Sequence, residues 1–385
     1  SVKPSIVASI SLCILSGPRK MFRVAALVAT ASAASVKVDL PVHPERQAEI
    51  ERVNSAHTSW HAAPNARFAH LPPGASKPLC GVKGDWKKES LLTVDGVEEF
   101  VPKNPTAPIP DSFDSAENWP ACSKIINDIR DQSACGCCWA FAGAEAASDR
   151  MCIATNGKMQ VPLSAQDVCF CASMNGCEGG QINTPWSHIK GGLFGGGAVS
   201  GGQYQGSGPF GEGLCSDFSL PHCHHHGPVG KDPYPAEGTK GCPTVSSSPR
   251  CPSKCDPTSN VTDFKSDKYS FEGSVMTASG EQAIQQMIME GGPVETAFTV
   301  YTDFENYAGG VYKHTSGSMA GGHAVKFVGW GEDNGVKYWK VANSWNPYWG
   351  EDGYFRIVRG DDEGNGGIEN GVTGSPTDAK WSHGK

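Results

Sequence analysis

Charge is scarce in this sequence, and what there is contains no long basic run. Only 19% of the 385 residues are Asp, Glu, Lys or Arg, and the formal net charge is −8, where an average soluble domain has about a quarter charged. That balance excludes nucleic acid and anionic membrane surfaces as main partners. Also missing is an apolar run long enough to cross a bilayer. The run MFRVAALVATASAA at residues 21–34 is too short to span one. It has instead a candidate start at Met21, a basic Arg23, a short apolar core and small residues near Ala33 and Ala34, the plan of a secretory signal peptide. Residues 1–20 stand outside that plan, either as a second hydrophobic segment or as sequence upstream of the true start.

Glycine, proline and cysteine, by contrast, are plentiful. Forty-seven glycines and 27 prolines point to many turns and loops, and 15 cysteines point to an oxidising compartment. Two of these, Cys13 and Cys80, precede a dense region, leaving 13 from Cys122 onward. An odd number cannot pair completely within one chain, so at least one thiol stays free. Three of the thirteen fall in QSACGCCWAF, Gln132 to Phe141, just ahead of an alanine-rich run with helical character. In a secreted chain any single cysteine is more often half of a disulfide. A thiol at a helix start, however, sits in a positive field that favours the nucleophilic thiolate, and Cys138 holds that position.

Read in order, the chain predicts a helix over about Pro44 to Ser59, with Ile50, Val53 and His57 on one side and Glu45, Arg46, Glu49, Glu51 and Arg52 around it. Two proline clusters follow, and the second, Pro102 to Pro110, reads as an exposed linker. The best domain boundary lies at residues 103–110, where proteolysis could remove everything before it. Trp139 to Ile153 reads as a buried helix and Ser164 to Val168 as the start of a shorter one. Residues 191–213 are glycine-rich loop, and 215–255 are a loop region with five cysteines. Ser279 to Gly291 is a helix with Ser279 and Gln282 in a capping-box pattern. His323–Trp330, Lys337–Asn343 and Gly353–Arg359 then read as strands. Helices followed by antiparallel strands make an α+β fold, and the cleft between two such halves is the natural site.

A cysteine nucleophile needs a base, a group to orient that base, and donors for the oxyanion. Cys138 supplies the thiol, His323 in GGHAVKFVGWG the base, Asn343 in VANSWNPYWG the orienting amide, and Gln132 the oxyanion donor. IRDQSACGCCWAF, CEGG, GGHAVKFVGWG and VANSWNPYWG together resemble the papain-like cysteine peptidases, whose signature is Cys-Gly-(Ser/Ala)-Cys-(Trp/Tyr). Cys137 departs from it, standing where the family has a small residue. The Cys138 to His323 separation is 185 residues, beyond the roughly 130–150 of papain and its relatives, so an insertion is expected between them. LPHCHHHG resembles the opening of the occluding loop of the cathepsin B subfamily, within a region of about 214–255.

The resemblance implies a two-lobed fold, with a helical left lobe and an antiparallel, barrel-like right lobe either side of the active-site cleft. It implies a signal or leader over residues 1–34, an inhibitory propeptide over 35–104, in which TSWHAAPNARF and Leu79 to Gly81 match, and a peptidase domain over 105–385. His225 and His226 would hold a substrate's C-terminal carboxylate, with Asp131 the acidic partner of the first. Tyr348 occupies the position of a second acidic clasp, which implies a mobile loop and appreciable endopeptidase activity beside dipeptide release. Gly179 and Gly180 would bind the substrate backbone, Trp345 would shield the His323–Asn343 pair, and Gly371 would replace the acidic residue of the second subsite, giving an apolar preference there.

Implied disulfides are Cys122–Cys152, Cys135–Cys177, Cys171–Cys251, Cys215–Cys255 and Cys223–Cys242. Cys137 and Cys169 remain, either paired with each other or both free. Asn260 in Asn-Val-Thr is a glycosylation acceptor signal. No cofactor, metal or membrane span is expected. The partners are peptide and protein substrates and the chain's own propeptide, the protein is expected to be a monomer, and its place is the secretory pathway, a lysosome or an equivalent acidic compartment. Two rival readings are a catalytically silent homologue that binds rather than cleaves, favoured by the bulky Cys137, and a thiol–disulfide oxidoreductase using Cys135 and Cys138. The second lacks the βαβ pattern that thioredoxin-like motifs require.

Overall fold

The computed structural model describes residues 41–65, 67–191, 196–203, 213–220 and 246–384. Helix α1 (Pro44–Ser55) opens with proline at its first position, where a missing N–H costs nothing, and His43 Nδ1 accepts the Glu45 N–H. It ends four residues short of the expected Ser59, because His57 adopts a positive φ of 49° and the chain turns into strand β1 (Trp60–Ala62). His57 is therefore exposed rather than on the buried face. Ile50 and Val53 are buried as expected, but with them go Arg46 and Glu49. Charge on this helix reads as a solvated face, and here part of it points inward. A short helix α2 (Lys88–Leu92) and strand β2 (Val97–Glu99) complete the N-terminal segment. Residues 101–111, which include the proline cluster, are largely exposed.

Beyond this segment come strand β3 (Phe113–Asp114) and the one-turn helices α3 (Ser115–Asn118) and α4 (Ser123–Ile126). Next is the central helix α5 (Cys138–Ala154), buried on every side from Cys138 to Cys152. A helix without a polar face belongs in a core. Gly143 lets it lie against α7 (Thr184–Gly191), since any Cβ there would overlap Pro185 and approach Glu295 Oε2 to 2.7 Å. Between them in sequence, α6 (Ala165–Cys171) is capped by Ser164, whose Oγ accepts the Asp167 N–H at 3.0 Å. Trp139, Phe141, Phe170, Trp186 and Phe218 form the core of this helical lobe. The disulfides Cys122–Cys152, Cys135–Cys177, Cys171–Cys251 and Cys215–Cys255 are formed and staple it, each worth about 2–4 kcal/mol.

The second lobe comprises β4 (Tyr269–Phe271), β5 (Val275–Ala278), α8 (Glu281–Gly291), β6 (Val294–Tyr301), β7 (Tyr307–Tyr312), β8 (Met319–Asp333), β9 (Val336–Ala342), β10 (Tyr354–Val358), β11 (Val372–Gly374) and β12 (Trp381–His383). The main sheet runs β1-β7-β10-β9-β8-β6-β11-β5-β2, with β3 attached to β8, while β12 pairs with β4 alone. Asn334 and Gly335, with φ of 50° and 81°, turn β8 into β9, as a two-residue hairpin loop requires. The expected capping box of α8 is not formed: Gly280, at φ 81°, is its N-cap and no side chain caps it. The Gly280 N–H is held instead by the Glu369 carbonyl, so tertiary structure sets this helix start. Phe298, Phe304, Phe327, Trp339, Trp345 and Phe355 fill the β-lobe core, and Ile50, Val53, Trp60 and Phe68 of the N-terminal segment pack into the same cluster. This is the two-lobed α+β arrangement expected.

At the junction of the lobes, buried Lys326 of β8 reaches Asp149 of α5 at 2.8 Å and Glu145 at 3.9 Å. Arg130 and Asp128, paired at 2.8 Å, complete the cluster. Burial pushes the Glu145 carboxyl up to about 8 and Asp149 up to about 6, against the pull of Lys326 and Arg130.

Candidate active site

Cys138 is the first residue of α5, with Cys137 as N-cap. Its sulfur is fully buried and accepts the Gly81 N–H at 3.3 Å. Burial pushes the thiol up to about 12, although the N–H groups of Ala324, Gly81 and Trp139 favour the thiolate. His323 lies on β8 opposite Phe298 of β6. Its Nε2 is 2.8 Å from Asn343 Oδ1, which also accepts the Ser344 N–H at 2.9 Å. Burial lowers the imidazole to about 4, and the nearby Arg67 guanidinium lowers it further, while Asn343 and the Leu79 carbonyl favour its charged form. Trp345 is fully buried against this ring, centroid to centroid 4.9 Å. In this state, thiol and imidazole are both neutral.

Gln132 is fixed at both ends. Its Oε1 accepts the Ser344 hydroxyl at 2.7 Å, which turns the amide nitrogen to donate to the Leu79 carbonyl at 2.9 Å and the Cys135 carbonyl at 2.8 Å. Ser344 and the Leu79 carbonyl are absent from the sequence reading. A hydroxyl beside Asn343 is a weak signal for the first, and a backbone carbonyl leaves none.

The N-terminal segment fills the cleft between the lobes. Phe68 meets Trp345 edge-on at 5.4 Å, and Arg67 donates to the Ser133 carbonyl at 2.9 Å and lies 3.7 Å from Asp131. The histidine expected to face Asp131 lies outside the described residues. Leu79 and Gly81 occupy Gln132 and Cys138 as described. The Gly81 carbonyl accepts the Gly180 N–H at 2.9 Å, the Lys83 N–H donates to the Gly180 carbonyl at 2.7 Å, and Val82 runs parallel to Gly180. On the other wall the Val82 N–H donates to the Gly322 carbonyl at 3.0 Å. Lack of side chains makes this approach feasible: a Cβ at Gly81 would overlap the Gly136 carbonyl oxygen, and one at Gly180 would fall 2.6 Å from the Trp139 ring. Further along, any Cβ at Gly371 would overlap the Trp86 carbonyl, and the Lys88 N–H donates to the Asn370 carbonyl at 2.8 Å.

Residues 109–375 match the family model described as Papain family cysteine protease. The chain is a papain-family cysteine protease. Curated relatives of this protease include cathepsin B-like cysteine proteinase 6 of Caenorhabditis elegans, 41% identical over 337 residues, covering 84% of this chain and 81% of the relative. Cathepsin B-like cysteine proteinase 4 of the same organism is 47% identical over 270 residues, covering 69% of this chain and 75% of the relative. Among solved structures, procathepsin B S9 from Trypanosoma congolense superposes with a TM-score of 0.68 at 29% identity, covering 86% of this chain and 97% of that one.

Within this protease the structure brings Cys138, His323, Asn343, Gln132, Gly179, Gly180, Trp345 and Gly371 to one cleft. His225, His226, Cys223 and Cys242 lie outside the described residues. Cys135 is bonded to Cys177, so it forms no redox pair with Cys138. Asn260 is exposed, and its N–H donates to the Gly213 carbonyl at 3.0 Å. No helix of the described residues is long and apolar enough to cross a membrane.

Proposed function

We propose that Cys138, His323, Asn343 and Gln132 are the catalytic centre, and that residues 35–104 are an inhibitory propeptide following a signal or leader over 1–34. One observation carries this reading. A backbone carbonyl, that of Leu79, sits on the Gln132 amide while the next residue but one donates its N–H to the Cys138 sulfur. A scissile carbonyl placed there would be polarised by Gln132 and by the Cys138 N–H and attacked by the thiolate. His323, oriented by Asn343, would protonate the leaving amine to release the acyl-enzyme, then take a proton from water for hydrolysis. With the segment gone, burial of the thiol is relieved while the helix start and the Ala324 and Trp139 N–H groups remain, so the thiolate becomes accessible near neutrality.

The segment survives in the site because of its direction. The second subsite at Gly371 takes the residue two before a scissile bond, yet here it meets Trp86 to Leu91, which follow Leu79. Its polarity is therefore the reverse of a substrate's, and no leaving amine faces His323. Gly179 and Gly180 would pair with a substrate's backbone, and Gly371 leaves the second subsite to apolar side chains.

We assign to His225 and His226 the capture of a substrate's C-terminal carboxylate, giving dipeptide release beside endopeptidase activity. Protonated imidazoles at acidic pH suit that role, as does an acidic endocytic or lysosomal compartment reached by secretion, with Asn260 glycosylated and the protein a monomer. To test the centre, the protein is activated at acidic pH, treated with a limiting alkylating agent and mapped by mass spectrometry while peptide cleavage is followed. Modification of Cys138 in step with lost cleavage is expected; labelling spread over several cysteines without loss would refute it. His225→Ala with His226→Ala should abolish dipeptide release and spare internal cleavage, and unchanged dipeptide release would refute the carboxylate role.

A further inference from the structure

Cys137 caps α5 and Cys169 lies on α6, and the peptidase mechanism uses neither. Both are free thiols with no exposed surface. Their sulfurs and that of Cys135 all lie within 4.8 Å of one another. The Cys137 thiol donates to the Gln132 carbonyl at 3.9 Å. The surroundings are tightly packed: a Cβ at Gly176 would overlap Cys169 Sγ, and Trp139 Nε1 donates to the Gly176 carbonyl at 3.2 Å. Eight other cysteines of the described residues are joined in four disulfides.

We propose that Cys137 and Cys169 are joined by a further disulfide that ties the start of the Cys138 helix to α6. The bond forms by exchange with a low-molecular-weight disulfide such as oxidised glutathione, before the lobe closes over the pair. The Cys137 thiolate attacks one sulfur of the reagent and expels a thiolate. Cys169, deprotonated, then attacks Cys137 Sγ and expels a second. Two protons and two electrons leave the protein, and one reagent disulfide becomes two thiols.

The bridge matters because of the third sulfur. A free thiol at 137 or 169 lies within reach of Cys135 and can attack it, expelling the Cys177 thiolate. That exchange undoes the bond beside Gly179 and Gly180 on one side and the Cys138 loop on the other. Joining Cys137 to Cys169 removes both attackers and leaves Cys138 the one free thiol among the described residues after 105.

The full chain carrying Cys138→Ser, which stops self-cleavage, is folded with oxidised and reduced glutathione. It is then denatured without reduction, alkylated and weighed intact, beside the same chain with Cys137→Ser and Cys169→Ala added. Equal numbers of adducts are expected, because the pair contributes none. Two fewer adducts in the second chain would show both thiols free and overturn the proposal. Non-reducing fragment mapping of the first chain, which needs no further variant to fold, should show Cys137 linked to Cys169. A link from either to Cys135 or Cys177 would overturn it. Cys169→Ala alone should give more mispaired Cys177 than the double change, and equal mispairing would count against the bridge.

Discussion

Acid should open the N-terminal segment through His323 itself. With the segment in place, burial holds this imidazole at about 4, against an ordinary value of 6.5. When the segment leaves, the ring meets solvent and its pKa returns towards the ordinary value. The closed form thus keeps the ring neutral, and its advantage is present above the open-state pKa and lost as pH falls through it. Taking those two values, acidification from about pH 7 to pH 5 favours opening by about 20-fold, or about 2 kcal/mol. The opposite sign belongs to Glu49, whose carboxyl is raised chiefly by burial and then by Asp303 and Glu305, so its protonation favours the docked form. The His323 contribution is isolated by comparing full chains carrying Cys138→Ala with and without His323→Asn. Amide exchange at Lys83, bonded to Gly180, reports opening once corrected for intrinsic rate. Between about pH 7 and pH 5, opening of the His323 chain should rise about 20-fold more than that of its His323→Asn counterpart. An identical pH dependence in both chains, or carbon-13 titration of His323 near its ordinary value in the closed protein, would refute the reasoning.

Three other perturbations follow from buried groups. Glu145 is raised to about 8 from 4.5, so its contribution to stability is full below the unfolded value and is lost as pH rises through the folded one; Glu145→Gln should flatten the decline in melting temperature between those limits. Arg46 lies 2.8 Å from Glu305 and donates to Asn306 Oδ1 at 2.9 Å, both fully buried. Arg46→Ala strands Glu305 at a cost of about 3–5 kcal/mol, so the full chain should become active at neutral pH while kcat/KM of the processed enzyme is unchanged. Ser344→Ala removes the hydroxyl that orients the Gln132 amide; with about 1 kcal/mol at stake, kcat should fall roughly five- to tenfold with KM little altered.

The residues proposed as the catalytic set were picked out because each sits in a short string whose residue types the chemistry dictates: a thiol before a tryptophan at a helix start, a histidine entering a strand, an asparagine leaving one. The fold class followed from the change of hydrophobic period along the chain. What holds the N-terminal segment down was not readable. Arg46 and Glu49 look solvated in sequence, and their partners Glu305, Asn306 and Thr302 lie some 250 residues away in the chain. The start of α8 failed for a related reason, since a distant carbonyl, that of Glu369, overrode a good local capping pattern. Leu79 illustrates the limit most sharply, because it acts through its backbone, which every residue shares.

The parallel run of Val82 beside Gly180 is also a blueprint for ligands. Residues 79–83 show that a peptide of inverted polarity satisfies the Gln132 amide, the Cys138 sulfur and both polar groups of Gly180 at once. A short synthetic chain copying that stretch, with glycine kept at the position of Gly81, would gain affinity from the same donors to which the proposed mechanism assigns the polarised carbonyl. It would persist as an uncleaved occupant, because its stereochemistry offers the enzyme nothing to expel.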